Sequence, residues 1–344
     1  MTERADDLAA WYGGWAGVPN PKLVLAAGDA SFRKYYRVAG VDRGSVILCD
    51  APPDTEKTPE FVRIAHALEA AAVRVPQVLH ADTSRGFLIL EDLGDRVLLP
   101  LLSRDAVEGF YGEALTMLER LARIDSIPLA LPPYDGQLLA REMRLFPQWF
   151  CAGLLGMPPT SEAQSVFDDL ERALCERALA QTQVVVHRDF HARNLMVLAD
   201  GTLATIDFQD AVVGAVTYDP VSLLRDCYLR WPLTDVRRWV LGHRERLAAL
   251  GVAVPAPEAF LVDFDWMGLQ RHIKVLGIFA RLYQRDGKAG YLRDLPRTLA
   301  YVREVLALYP QEPALARFGA WFEEVVVPRA QIQSWYRDLG PLPA

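Results

Sequence analysis

Three polar residues stand at a spacing that can move a phosphoryl group. In Val184-Val185-Val186-His187-Arg188-Asp189-Phe190-His191-Ala192-Arg193-Asn194, an apolar strand delivers a His-x-Asp, and Asn194 follows Asp189 by five residues. Asp207, in Ile206-Asp207-Phe208, comes thirteen residues after Asn194. Phosphoryl transfer needs a carboxylate to take up the proton of the attacking hydroxyl. It also needs oxygen ligands that hold Mg²⁺ against the nucleotide phosphates. The spacing gives Asp189 the first task and Asn194 and Asp207 the second. Mg²⁺ keeps part of its water, so two side chains plus phosphate oxygens complete its shell. His187 and His191 are poor ligands for that ion and are expected to brace the loop by hydrogen bonds. Polar residues that merely cap a turn would not require a second Asp at the end of the next strand pair.

The elements that must position these residues are readable from periodicity. Residues 5–15 can form a leading helix. Strand patterns then cover 22–28, 33–39 and 45–50, a helix covers 59–72 with Phe61, Ile64, Ala65 and Leu68 on one face, and strands cover 77–81 and 86–91. This is a small α+β unit. From Ser103 the signal turns helical, beginning with the stripe Val107, Tyr111, Ala114, Leu118 and Leu121. Further helices are expected over 138–155, 162–180, 219–229, 235–250, 257–283, 295–308 and 313–326. A non-helical island at 184–215 interrupts them, with strands near 195–198 and 203–206 around an Asp200-Gly201 turn. The join between the two parts is expected near residues 93–99.

Composition narrows the function class. The 344 residues are 51% hydrophobic and 24% charged, which excludes a disordered chain, a collagen-like repeat and a small disulfide scaffold. The length suits two domains or lobes. A net charge of −7 gives no electrostatic reason to expect nucleic acid or an anionic membrane as partner. Cys49, Cys151, Cys175 and Cys227 are far apart in apolar surroundings and are expected as free thiols in a reducing compartment. The acidic N-terminus has no apolar core behind it, and no apolar run approaches the ~20 residues of a membrane span. A cytoplasmic, monomeric protein is expected. The chain has only five lysines, Lys22, Lys34, Lys57, Lys274 and Lys288, so a phosphate-binding lysine has few candidates.

On these motifs the chain resembles the kinase superfamily, and specifically the aminoglycoside phosphotransferase and choline kinase-like family. That family shows His-x-Asp-x-x-x-x-Asn followed by Ile-Asp-(Phe/Trp). The resemblance spans roughly residues 26–283. It implies an α+β, bilobal protein kinase-like fold. The small five-stranded N-lobe with one helix (1–94) would bind nucleotide and end in the hinge. The larger, mainly helical C-lobe (95–344) would carry the catalytic loop and the acceptor site. ATP and Mg²⁺ are the implied cofactors, Asp189 the catalytic base, and Asn194 and Asp207 the metal ligands. Leu90-Glu91-Asp92-Leu93-Gly94 resembles the family hinge, which places Glu91 and Leu93 at the nucleotide. Tyr218-Asp219-Pro220 resembles the family's Tyr-Asp segment, and Asp219 also reads as a helix N-cap with Pro at the first helical position.

Longer stretches narrow the likeness to the bacterial anomeric sugar kinases, which phosphorylate N-acetylmuramate and N-acetylglucosamine at C1 in cell-wall recycling. They are Gly28-Asp29-Ala30-Ser31-Phe32-Arg33-Lys34-Tyr35, Asp50-Ala51-Pro52-Pro53, His187-Arg188-Asp189-Phe190-His191-Ala192-Arg193-Asn194, Ile206-Asp207-Phe208-Gln209-Asp210-Ala211 and Gln270-Arg271-His272-Ile273-Lys274-Val275-Leu276-Gly277.

The chain departs from the kinase pattern on its third strand, Ser45-Val46-Ile47-Leu48-Cys49-Asp50, which has no lysine. Lys34, with Arg33 beside it, is the expected replacement, and Glu60 or Glu69 the helix partner. Ser31 is expected at the phosphates, in a turn with one Gly and small neighbours. Sugar contacts are expected from Gln209 and Asp210 after the metal Asp, from Glu142 and Arg144, and from Arg271 and Lys274. Gln209 in place of Gly, with no Ala-Pro-Glu and no Val-Ala-Ile-Lys, argues against a protein kinase. The remaining alternatives are a kinase of another small alcohol, of aminoglycoside, choline or homoserine type, and a catalytically inactive kinase-fold binding module. An acceptor panel separates the first. The intact Asp189, Asn194 and Asp207 speak against the second.

Overall fold

The structure, a computed structural model, describes residues 3–28, 32–39 and 44–339. The chain begins with α1 (Glu3–Ala16), β1 (Val24–Gly28), β2 (Lys34–Ala39), β3 (Ser45–Asp50), α2 (Thr58–Ala70), β4 (Val78–Asp82) and β5 (Phe87–Glu91). It continues with α3 (Val107–Leu121), α4 (Gly136–Met143) and α5 (Ser161–Ala180). The island holds β6 (Gln183–Val186), β7 (Leu195–Val197), β8 (Leu203–Thr205) and β9 (Val212–Ala215). Then come α6 (Tyr218–Leu224), α7 (Leu233–Ala249), α8 (Pro257–Asp286), α9 (Leu295–Leu308), α10 (Pro313–Trp321) and α11 (Val327–Gln331). No helix is long and apolar enough to cross a membrane among the described residues. The four cysteines are free thiols.

Packing divides the chain into two compact units. One comprises Met1–Leu129 and Arg193–Asp210, the other Ala130–Ala192 and Ala211–Ala344. The first unit extends past the boundary expected at residue 94, because later backbone is bonded into it. Leu98 N–H donates to the Leu195 carbonyl, Thr205 N–H to that of Arg74, and Leu203 N–H to Glu113 Oε1, at 2.8, 2.8 and 2.7 Å. The β7–β8 hairpin is thereby fixed to α3 and to the segment after α2.

The first unit is built on an antiparallel sheet in the order β1-β2-β3-β5-β4. Alternation sorts its side chains onto two faces. Val38, Val46, Leu48, Phe87 and Ile89 are buried on one face, with Leu8 and Tyr12 of α1 packed on them. Arg37, Ile47 and Leu90, paired across the sheet, line a cavity on the other. The leading helix expected over 5–15 is thus α1, and it lies on the sheet in addition to the single helix that the resemblance implied.

In the second unit α8 is the spine, packed by α5, α6, α7 and α9. Phe146 sits at the core centre against Phe150, Phe167, Phe318 and Phe322, and is fully buried. Truncating such a residue to alanine costs about 3–5 kcal/mol. The helix expected over 138–155 is broken. The α4 segment, capped by the Asp135 carboxylate on Leu138 N–H, ends at Met143, and Phe146–Leu154 continues as a π-helical stretch. Pro147 removes a backbone donor there. Gly277 of α8 is the other cause, since a Cβ on it would lie 2.3 Å from the Leu145 carbonyl carbon. The helix expected to reach 229 stops at Leu224, where Arg225 turns its buried guanidinium onto Asp265 at 2.7 Å. The small sheet β6–β9 was not evident from periodicity.

Candidate active site

Within the first unit, a cavity of about 480 Å³ gathers Glu91 and Leu93 of the expected hinge together with Asn194 and Asp207. Ile47, Leu90, Met196 and Ile206 give it apolar walls. The hinge is held by the Asp92 carboxylate, which accepts from Arg37 Nε at 2.6 Å, Ser45 Oγ at 2.5 Å and Gly94 N–H at 2.9 Å. The Glu91 side chain is engaged by Arg74 and by Gln77 N–H, so the hinge offers backbone rather than the Glu91 carboxylate to the cavity. A larger cavity of about 800 Å³ in the second unit, near Arg230, Arg237 and Arg303, is lined by none of the motif residues.

Asp207 adopts a left-handed backbone with φ of +67°, rare for a residue with a side chain and frequent at functional sites. Gln209 Nε2 donates to Asp207 Oδ1 at 2.8 Å. Gln209, expected at the sugar, therefore orients the Asp207 carboxylate. Asp210 is exposed. Asn194 is tied in place through its carbonyl, which accepts from Ile206 N–H at 2.9 Å.

In the second unit, β6 delivers the loop that ends at Asp189. Arg188 also has a positive φ, +76°. The Asp219 carboxylate accepts from the backbone N–H groups of His187 and Arg188 at 2.6 and 3.0 Å. Thr217 occupies the N-cap position of α6, so Asp219 anchors the loop and is not the cap. Asp226 accepts from Ala192 N–H at 3.0 Å. His187 Nδ1 accepts from Asp189 N–H at 3.3 Å, in keeping with a bracing histidine.

Burial pushes the Asp189 carboxyl up, but Lys274, His191, Arg271 and His187 outweigh it and hold the group below its ordinary value. It is a carboxylate at neutral pH. Lys274 Nζ meets Glu142 Oε2 at 2.8 Å and the Tyr218 hydroxyl at 3.0 Å. Glu142 also receives Arg188 at 2.5 Å and the Tyr134 hydroxyl. Burial raises the Glu142 carboxyl, and Lys274 and Arg188 more than reverse it. Arg271 is buried, donates to Cys227 Sγ at 3.3 Å, and acts on Asp189 through its charge.

The structure thus sets Lys274 and Arg271 where their charges act on Asp189, ties Glu142 to Lys274, and leaves Arg144 out. Arg144, two residues from Glu142 and so on another face of the helix, is exposed and forks onto Glu171 at 3.0 and 2.9 Å. Lys34 is exposed on β2, and Glu69 is exposed and receives Gln77 Nε2 at 3.0 Å. Ser31 lies outside the described residues. Sequence reasoning missed Tyr134 and gave no role to Arg188 and Tyr218. The Arg of His-Arg-Asp and the Tyr of Tyr-Asp-Pro were the signals.

A model of the phosphotransferase enzyme family matches residues 22–246. The chain is 41% identical over 312 residues to the N-acetylmuramate/N-acetylglucosamine kinase of Pseudomonas putida, covering 90% of each. Among solved structures it resembles Plasmodium vivax ethanolamine kinase, with a TM-score of 0.61 at 12% identity, over 87% of this chain and 85% of that one. It also resembles ADP-bound aminoglycoside phosphotransferase APH(2'')-Ib, with a TM-score of 0.53 at 18% identity, over 87% of this chain and 98% of that one. The last two likenesses are of fold.

Proposed function

The chain belongs to the phosphotransferase enzyme family, and from that premise we propose that it transfers the γ-phosphoryl group of ATP to the anomeric C1 hydroxyl of N-acetylmuramate or N-acetylglucosamine. The observation that carries this reading is the meeting of Asn194, Asp207 and the hinge residues Glu91 and Leu93 on one cavity. The acceptor comes from the likeness to the Pseudomonas putida kinase across nine-tenths of both chains.

Asp189, held ionised by the cations around it, accepts a hydrogen bond from the C1 hydroxyl and takes its proton as the O–P bond forms. The bond from γ-phosphorus to the bridging oxygen breaks, and ADP leaves with that electron pair. An anomeric hydroxyl is more acidic than an ordinary alcohol. In a loose transition state little proton transfer is needed early, so orientation is the main contribution of Asp189. The backbone of Glu91 to Leu93 meets the adenine edge.

Asn194 and Asp207 fit Mg²⁺. They offer an amide oxygen and a carboxylate oriented by Gln209, both hard donors on the nucleotide cavity. No cluster of three or more His, Cys, Asp or Glu capable of holding a metal occurs among the described residues. That suits an ion whose remaining ligands are phosphate oxygens and water. When bound, the ion neutralises charge on the transferred phosphoryl group.

The test is incubation with Mg-ATP and each sugar, followed by ³¹P NMR of the product. A sugar-1-phosphate resonance is expected. Phosphate on another oxygen, or no transfer to either sugar, would overturn the acceptor assignment.

A further inference from the structure

The strand that should carry a phosphate-gripping lysine carries instead a buried thiol. On β3, Ile47 lines the nucleotide cavity and Cys49, two residues on and on the same face, is completely buried. Burial drives the Cys49 thiol up to about 12, so it supplies no charge. Arg37 also lines the cavity, but Asp92 of the hinge and Asp95 neutralise it, so a cation for the phosphates must come from elsewhere.

Arg33, the residue before β2, stands behind two side chains that line this end, Tyr35 and Phe61. Its side chain is 7% exposed, and its guanidinium meets Glu56 Oε2 at 2.8 Å and lies 5.7 Å over the Phe61 ring. It is hydrogen-bonded to the Tyr35 hydroxyl, which also feels the charge of Asp207. Tyr35, Phe61 and Asp207 all line the cavity, and Tyr35 pairs with Cys49 across the ladder. Successive residues on a strand face opposite ways. Lys34, adjacent to Arg33, is accordingly exposed at its pairing position opposite Asp50.

Glu56 belongs to no helix. It closes the turn that follows Asp50-Ala51-Pro52-Pro53, where the N–H groups of Thr55 and Glu56 both donate to the Pro52 carbonyl, at 3.0 and 2.9 Å. The turn is locked onto the β4–β5 connection by Ala51 N–H to the Gly86 carbonyl at 2.8 Å. Gly86 has φ of +73°, and a Cβ there would sit 1.8 Å from the Ala51 carbonyl oxygen. Only glycine permits this approach, and the approach fixes where Glu56 stands. A buried guanidinium needs such a carboxylate to remain in place.

We propose that Arg33, held by the positioning residue Glu56, is the cation that binds the phosphates of the nucleotide, and that Lys34 takes no part. This rests on the phosphotransfer reading above. It assigns to a turn and a pre-strand arginine what a strand lysine and a helix glutamate do in other kinases.

The experiment measures Mg-ADP affinity by calorimetry and kinetics in Mg-ATP for Arg33→Met, Arg33→Lys, Lys34→Ala, Glu56→Gln and the double variant Arg33→Met/Glu56→Gln. Arg33→Met is expected to lose about a hundredfold in kcat/KM for ATP, and Arg33→Lys to recover part of it. Lys34→Ala should stay within about twofold of wild type. Glu56→Gln should fall less than Arg33→Met, and combining them should add nothing, because Glu56 acts through Arg33. The double variant leaves no lone buried carboxylate, so a loss it shares with Arg33→Met, at an unchanged melting temperature, is not misfolding. Wild-type ATP parameters in Arg33→Met, or an equal loss in Lys34→Ala, would overturn the proposal. If wild-type protein binds Mg-ADP but phosphorylates neither sugar, the acceptor assignment fails while the affinity series still decides Arg33. No nucleotide binding by wild type would overturn both.

Discussion

Lys274 on α8 and Glu142 on α4 form an ion pair at 2.8 Å, with both side chains nearly buried. Glu142 answers Lys274 and Arg188 together, so Glu142→Gln leaves two buried cations with one fewer countercharge. Removing one partner of a buried pair costs about 3–5 kcal/mol. Urea unfolding of Glu142→Gln should show a loss of that order. Arg144→Ala removes an exposed arginine from the buried Glu171 carboxylate; it should cost about 1–3 kcal/mol, less than Glu142→Gln, and retain wild-type turnover.

Asp189→Asn keeps the shape of the loop and removes the proton acceptor. Turnover should fall by about 10²–10⁴, with Mg-ADP affinity close to wild type, since the nucleotide cavity does not include Asp189. Steady-state kinetics and calorimetry check both halves. Near wild-type turnover would remove Asp189 from its role.

Asp207→Ala should depress kcat by about 10²–10³ and shift the Mg²⁺ concentration needed for half-maximal rate upward. Chelation of the metal should abolish transfer by wild type, and added Mg²⁺ should restore it. A Mg²⁺ titration unchanged in the variant would assign the metal to other residues.

Two buried groups of the second unit respond to pH with opposite sign. Burial, with the charges of Arg271 and Arg225 added, drives His272 down to about 3. An unfolded histidine titrates near ~6.5, so as pH falls from there to 3 the unfolded chain gains the proton first and stability is lost. Burial raises Asp219 to about 7. An unfolded aspartate titrates near ~3.9, so its contribution is present at low pH and is lost as pH rises through that window. Between about pH 4 and 6.5 the two slopes, each about 1.4 kcal/mol per pH unit, oppose each other. The variant His272→Gln removes one of them. Its unfolding free energy relative to wild type should therefore rise by about 1.4 kcal/mol per unit as pH falls below 6.5. Urea unfolding at pH 7, 6 and 5 measures this, and a pH-independent difference would contradict it.

What was legible in the sequence is what short-range pattern can encode. The His187-to-Asn194 spacing lies within one loop, and the strands of the first sheet announce themselves by alternation. The Arg33 partner was illegible because Glu56 is placed by a turn locked against Gly86, far along the chain. The Glu142 cluster likewise draws Tyr134, Arg188, Tyr218 and Lys274 from four separate elements or loops. Arg144 was a different case. Residues two apart on a helix do not share a face, so its separation from Glu142 was readable. Periodicity also missed the broken helix after Met143, whose cause includes a glycine on another helix.

Gly277 touches the Leu145–Phe146 backbone so closely that α8 can neither slide nor turn there. Lys274 and Arg271 lie three and six residues before it on the same helix. Each residue of a helix advances the azimuth by about 100°. One inserted or deleted residue between Lys274 and Gly277 would swing both cations away from Asp189 while every side chain remained. The constraint on this stretch is therefore one of length as much as of identity.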